Sequence, residues 1–186
     1  LVFTNLSNKI KTPIIYVNCV GIQNSGKTIF SFDGKSCLFS PNKNPAYFDN
    51  FFKEDFFIYN HGEKLSPPKK SNHFSSVSLI HTALEYGTKK ICEQWGIKKV
   101  VIGLSGGIDS ALSAVIFSQV LGAQNVFCVN MPSKFNSELT QENAKILAHN
   151  LGCPYTQVPI QYFVDQRKKQ IESIKFINTK IGRAHV

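Results

Sequence analysis

The run VVIGLSGGIDSALSAVIFSQVLG, residues 100–122, constrains the fold more than any other stretch. It opens with VVIGLS, a continuous apolar run of the kind found in strands of buried parallel sheets. Two glycines interrupt it, and the residues that follow keep a helical character up to Gly122. A strand that turns straight into a helix returns through a crossover to a parallel neighbour. This one stretch therefore calls for layered α/β architecture.

The residues around it repeat the alternation. Upstream, Ser76 can cap a helix through VSLIHTALEYGTKKICEQWG, with Leu79, Ile80, Ala83, Leu84, Ile91 and Trp95 near one face and Gly96 as its stop. Downstream, NVFCVNMP reads as a strand. Ser137 to Gly152 reads as a helix with Leu139, Ile146, Leu147 and Leu151 on its buried side. YTQVPI is a further strand, and QYFVDQRKKQIESI is helical again. Strand and helix alternating at short intervals predict a doubly wound parallel sheet with right-handed crossovers.

Residues before Ser75 read differently. PIIYVNCV, TIFSFDG and SCLF are strand-like, with Asp33-Gly34 as a turn signal. A loop-rich stretch runs from Ser40 to Ser75. It carries four prolines and an aromatic patch at Phe48, Phe51, Phe52, Phe56, Phe57 and Tyr59. The segment SPPKKSNHFSS, residues 66–76, has linker composition. The expected organisation is a front domain over residues 1–65, a linker over 66–76 and a second domain over 77–180.

Composition narrows the function classes. With 42% hydrophobic and 18% charged residues the chain can bury a core. No run approaches the ~18 apolar residues that span a bilayer, and LVFTNLSNKIK lacks a signal-peptide layout. The net charge of +9 is diffuse. Residues 1–75 hold nine lysines against five acids, and residues 76–180 hold eleven basic against seven acidic side chains. A basic RNA- or DNA-binding arm would concentrate that excess, whereas a diffuse basic surface suits anionic small molecules as well as it suits RNA; small molecules, not nucleic acid or membrane, are the expected partners. The five cysteines, Cys19, Cys37, Cys92, Cys128 and Cys153, show no zinc or C-x-x-C spacing, and read as buried reduced thiols.

Two glycine-rich segments compete as phosphate sites. Residues 21–28, GIQNSGKT, satisfy G-x-x-x-x-G-K-[ST] in full. That mechanism needs a helix after Thr28, whose N-terminal N–H groups hold the phosphates. The alternating run IFSFDG follows instead, so the segment reads as a hairpin connection. Residues 103–110, GLSGGIDS, do leave a strand and enter a helix. There Gly106 and Gly107 permit close backbone approach, Ser105 and Ser110 offer hydroxyls, and the helix from Ile108 aims its positive end at the turn. Asp109 is out of place in a bare anion cradle. It makes sense beside phosphates if it holds Mg²⁺, the competing reading being a helix cap.

The motif SGGIDS, residues 105–110, resembles that of the ATP pyrophosphatases of the adenine nucleotide alpha-hydrolase type. The longer run through MPSKFNSELTQENAKILAHNLG is similar to the NAD⁺ synthetase family, including Met131-Pro132-Ser133 and Ser137. The front segment IIYVNCVGIQNSGKTIFSFDGKS resembles the last part of a nitrilase-like glutaminase domain, through its Tyr-Val-Asn strand and Phe-Asp-Gly-x-Ser turn. That pairing is the layout of the glutamine-dependent members.

The resemblance implies a carbon–nitrogen ligase that amidates nicotinic acid adenine dinucleotide to NAD⁺ through an acyl-adenylate. ATP and Mg²⁺ would be its cofactors and glutamine its ammonia source. It implies a cytoplasmic enzyme, homo-oligomeric when complete. Ser105, Gly106, Gly107 and Ser110 would contact pyrophosphate, and Asp109 would hold the metal. Gly103 and Leu104 would end the strand and set the loop, with Ile108 opening the helix. The glutaminase Glu, Lys and Cys of the family lie upstream of the Tyr-Val-Asn strand, so neither Cys19 nor Cys37 is a candidate nucleophile.

The chain starts with Leu and reads as a fragment, expected to be inactive alone, with exposed strand edges and apolar faces. Its last six residues, IGRAHV, read as a non-native tail. The rival readings are another ATP pyrophosphatase, such as a GMP synthetase or a tRNA-modifying enzyme, and an inactive ATP-binding remnant.

Overall fold

The computed structural model describes residues 2–47, 51–56, 58–60 and 75–173. Most of the expected linker, the aromatic residues Phe48 and Phe57 and the tail after Ser173 lie outside these. The chain divides into two compact units, residues 1–98 and 99–186.

The front unit begins with a helix absent from the sequence reading, α1 (Val2–Ile10). It is seated on β4 (Cys37–Phe39), where the Phe3 ring lies 5.4 Å from those of Tyr16 and Phe39. Ser7 is fully buried under it, its hydroxyl 2.8 Å from the Thr12 carbonyl and 3.2 Å from that of Phe39. Strand β4 pairs antiparallel with β1 (Ile14–Tyr16) and with β5 (Ala46–Tyr47). All three β4 residues are buried.

A second, two-stranded sheet joins β2 (Val20–Asn24) to β3 (Ile29–Asp33), antiparallel from Val20↔Asp33 to Asn24↔Ile29. The GIQNSGKT segment is therefore a hairpin, closed by the Ser25 N–H on the Thr28 carbonyl at 3.0 Å. No helix N-terminus stands at its glycines. The turn signal at Asp33-Gly34 also holds, with Gly34 at φ 77°. It carries the chain from one sheet to the other instead of closing a hairpin.

Helix α2 (Ser76–Trp95) starts one residue earlier than expected. Ser75 is the cap, its hydroxyl accepting the Ser78 N–H at 3.1 Å, and Gly96 ends the helix at φ 66°. The helix packs on β2 and β3, and by its contacts it falls within the compact unit of residues 1–98. Close approach explains the contact face. A Cβ on Gly87 would stand 2.8 Å from the Ser31 hydroxyl oxygen, so a larger residue there would require Ser31 to turn aside. The expected apolar face is correspondingly incomplete. Gly87 and Cys92 are its buried residues, while Ile80, Leu84 and Trp95 are exposed.

The second unit is the α/β layer. Strands β6 (Val100–Gly103), β7 (Val126–Asn130) and β8 (Tyr155–Gln157) form a parallel sheet in that order. The register sets Ile102 beside Cys128 and Cys128 beside Tyr155. Helix α3 (Ile108–Leu121) crosses from β6 to β7 and α4 (Glu138–Leu151) from β7 to β8. The two touch each other and share one face of the sheet. Helix α5 (Gln161–Ser173) follows β8.

The core lies between that face and the helices, at Leu104, Ala114, Val126, Cys128, Ala144, Ala148 and Cys153. VVIGLS was expected to be buried on both sides, yet Val101 is 72% exposed and Phe127 41%. Both point to the face that α3 and α4 leave open. The buried stripe of α4 differs for a related reason. Ala144 and Ala148 meet the core, with Leu147 and Leu151 packed beside them, while Leu139 and Ile146 face out. Small side chains allow the close approach of α4 to the sheet that larger ones would prevent.

Candidate nucleotide site

The GLSGGIDS loop forms where β6 parts from β7. Gly103 is the last paired residue, opposite Val129. Leu104 is 1% exposed, its side chain in the core. Its N–H donates to the Val129 carbonyl at 2.8 Å, and its own carbonyl accepts from Asn130 Nδ2 at 2.7 Å. Leu104 thus has no free group for a ligand and serves as the anchor of the loop.

The two central glycines have different reasons for being glycine. Gly106 sits at φ 87°, and a Cβ there would run into the backbone of Thr140 in the first turn of α4, with the carbonyl carbon at 2.8 Å. Its role is packing. Gly107 is extended, at φ −89° and ψ 163°, and a Cβ there would meet only the Ser105 hydroxyl oxygen at 3.5 Å. The protein itself has room for a side chain at that position.

Gly107 is the N-cap of α3, and no side chain caps that helix. The first N–H groups of a helix have no intrahelical partner, and the helix dipole makes its N-terminus attractive to anions. The carboxylate of Asp109 sits in this first turn, exposed, and makes no hydrogen bond or ion pair among the described residues. The helix-cap reading of Asp109 therefore has no geometric support. Ile108, next to it, is 80% exposed.

The serines bind the loop together. Ser110 Oγ donates to the Gly107 carbonyl at 3.0 Å and accepts the Ser105 N–H at 3.2 Å. The hydroxyls of Ser105 and Ser110 lie 3.1 Å apart, and Ser105 Oγ accepts the Gly107 N–H at 3.3 Å. Both hydroxyls are committed inside the loop, so contact with a phosphate requires them to turn outward.

Among the described residues no group of three or more His, Cys, Asp or Glu side chains converges. Mg²⁺ does not require one, since it keeps several waters and is commonly held by one or two carboxylates plus substrate phosphates. A single unpaired carboxylate beside a helix N-terminus fits that habit.

The front unit brings its own motif together. Asn18 Nδ2 donates to Asp33 Oδ1 at 3.1 Å, and the Asn18 N–H donates to Ser36 Oγ at 2.9 Å. The Tyr-Val-Asn strand and the Phe-Asp-Gly-x-Ser turn are thus one structural element. They border a cavity of about 680 Å³ that the sequence reading did not single out, lined by Asn18, Cys19, Lys35, Ser36, Lys53 and Tyr59 among others. Cys19 is exposed, unlike the other four free thiols. Cys37 is buried, and desolvation pushes its thiol up despite the opposing charge of Lys35. Cys37 therefore lacks the setting of an activated nucleophile.

Asn130, Gln141 and Gln157 around the loop were also missed. Asn130 did leave a signal, as the polar residue closing the apolar strand VFCVN. The Thr140 contact left none, because it is made by backbone.

Residues 80–183 match the family model described as NAD synthase. The glutamine-dependent NAD(+) synthetase of Aquifex aeolicus is 32% identical over 202 residues, covering 88% of this chain and 35% of that protein. That of Synechocystis is 31% identical over 159 residues, covering 83% and 28%. Among solved structures, the glutamine-dependent NAD+ synthetase from Acinetobacter baumannii in complex with adenosine diphosphate superposes with a TM-score of 0.80 at 28% identity. It covers 95% of this chain and 34% of that one. The chain spans about a third of the length of the relatives it matches.

Proposed function

The chain belongs to the NAD synthase family, and on that premise we propose that it forms part of a glutamine-dependent NAD⁺ synthetase, in which the second unit binds the ATP that activates nicotinic acid adenine dinucleotide. Both units matter to this reading, because the similarity to the glutamine-dependent structure covers 95% of the chain and not the synthetase part alone. The relatives and structure named above are NAD⁺ synthetases, which favours this reading over a GMP synthetase or a tRNA-modifying enzyme. No helix among the described residues is long and apolar enough to cross a membrane. A cytoplasmic, homo-oligomeric enzyme is part of the same proposal.

The reaction sets a carboxylate against a polyphosphate. A carboxylate oxygen of the dinucleotide attacks the α-phosphorus of ATP, the bond to the β-phosphate oxygen breaks, and pyrophosphate leaves. Ammonia then attacks the acyl carbon, loses a proton, and displaces AMP to give the amide. Glutamine hydrolysis in the complete front domain would supply the ammonia.

The loop counters the charge repulsion. The uncapped N–H groups at the start of α3 face the departing pyrophosphate. Gly107 leaves space for a phosphate oxygen to reach the backbone, and Asp109 would hold Mg²⁺. When bound, that ion supplies Lewis-acid stabilisation of charge on the phosphates. The observation that carries the reading is the combination at this helix start: no side-chain cap, a glycine that nothing in the protein demands, and an unpaired carboxylate.

The test is Asp109→Asn in the full-length protein, assayed for NAD⁺ formation with ammonia as donor across a Mg²⁺ titration. The rate should fall at least ~100-fold, the scale of losing an ion clamp on a transferring phosphate. Stability should change by no more than about 1 kcal/mol, the helix-dipole contribution of a first-turn charge, since the carboxylate has no hydrogen bond among the described residues to lose. Near wild-type rates with unchanged Mg²⁺ dependence would overturn the metal assignment.

A further inference from the structure

We infer that Asn130 is a positioning residue for the nucleotide loop, holding it in shape through the Leu104 carbonyl without touching the nucleotide. The inference rests on the reading of GLSGGIDS as the phosphate site.

Asn130 is a buried polar side chain, 3% exposed, at the end of an apolar strand. A buried amide is tolerated only where its groups are hydrogen-bonded. Its Nδ2 donates to the Leu104 carbonyl at 2.7 Å. Its Oδ1 accepts from Gln157 Nε2 at 3.3 Å, and Gln157 Nε2 also donates to Gln141 Oε1 at 2.8 Å. The Asn130 carbonyl accepts the Val158 N–H at 2.8 Å. One side chain thus links the end of β6 to β8 and, through Gln157, to α4.

Its location gives the bond its meaning. In an unbroken parallel ladder the Leu104 carbonyl would take the Met131 N–H. Pairing instead stops at Gly103↔Val129, and the amide of Asn130 replaces that missing bond. Strands β6 and β7 can then diverge without leaving the Leu104 carbonyl unsatisfied in the core. Divergence at the carboxyl ends of parallel strands opens the crevice where α/β sheets take ligands. Leu104 is clamped from both sides, by Val129 on its N–H and Asn130 on its carbonyl, and the next three residues are Ser105, Gly106 and Gly107. On the other side Gly106 is pressed against Thr140. The loop is therefore located by two supports, a side chain at its root and a helix backbone at its middle.

The experiment compares three variants of the full-length protein by amide hydrogen exchange and by Mg·ATP affinity. Asn130→Leu keeps the branched shape and Asn130→Ala removes the side chain, and neither can donate to the Leu104 carbonyl. Gln157→Met leaves that bond and removes the two that Gln157 makes, to Asn130 and to Gln141. For both Asn130 variants the expectation is faster exchange at Ser105–Ser110, unchanged protection at Val126–Val129, and ATP affinity at least ~10-fold weaker, equivalent to about 1.4 kcal/mol. Gln157→Met should lose less than ~3-fold. Wild-type loop exchange and affinity in Asn130→Leu would overturn the inference. So would loss of protection throughout the sheet in both Asn130 variants, which would make Asn130 a general core residue. If the wild type itself bound no Mg·ATP, the functional reading would fail. The exchange data would still decide whether Asn130 holds the loop.

Discussion

Substituting alanine at Gly106 and at Gly107 should produce opposite results, although the two residues are adjacent and identical in sequence. At Gly106 the new methyl group meets the Thr140 backbone, which cannot rotate away as a side chain could. The residue also sits at φ 87°, where an L side chain costs about 1–2 kcal/mol. Overpacking against a fixed neighbour adds about 1–3 kcal/mol. The expected loss is therefore about 3 kcal/mol of unfolding free energy. At Gly107 the backbone is already in a region alanine favours, and the nearest atom is an ordinary van der Waals neighbour. Reduced freedom of the unfolded chain favours alanine by about 0.4–1 kcal/mol, and poorer N-capping opposes it by a similar amount. Stability should stay within about 1 kcal/mol of wild type. Nucleotide binding should reverse the order of severity relative to stability, since a methyl on Gly107 stands where a phosphate would approach the helix start. Denaturant unfolding and Mg·ATP titration of both variants in the full-length protein would measure this. Equal stability of the two variants, or a Gly107→Ala protein that binds ATP normally, would refute the division of roles.

Further expectations follow from other sites. Ser75→Ala should cost about 1 kcal/mol by removing the cap of α2, while Ser76→Ala should cost little, a contrast visible in thermal unfolding. Lys27→Ala should leave Mg·ATP affinity unchanged, because GIQNSGKT is a hairpin turn, and a clear loss would restore it as a phosphate site. The Cys128 thiol is pushed up by burial from 9.0 to about 11, with Cys153 beside it. Between those values the unfolded chain has released this proton while the folded chain retains it. The thiol's contribution is therefore complete below pH 9 and falls as pH rises toward 11, by roughly 2 kcal/mol. Urea midpoints measured across that range should decline. Under native conditions a thiol reagent should label Cys19 well before Cys128, since Cys19 alone is exposed.

Much of this was determined by the sequence itself, for a physical reason that is local. A strand that turns through Ser-Gly-Gly into a helix has a parallel sheet as its natural home. Gly96 and Gly152 end their helices in the left-handed conformation that glycine adopts most readily. The alternation after Thr28 excluded a phosphate loop because a helix cannot be drawn on a period of two. What only the tertiary structure decided involves partners distant in the chain. Val101 and Phe127 face outward because both crossover helices pack on the same side, which an apolar run cannot reveal. Helix α2 packs on the hairpin, bringing Gly87 against Ser31, 56 residues earlier. Within the loop the sequence presents two equivalent glycines. Gly106 answers to the backbone of a helix more than thirty residues away, and only Gly107 is left to a ligand. Asn130 looks like the last polar residue of a strand until folding brings it 2.7 Å from the carbonyl of Leu104. Hydrogen bonds and steric limits of this kind act through space, so they are settled when the chain closes on itself.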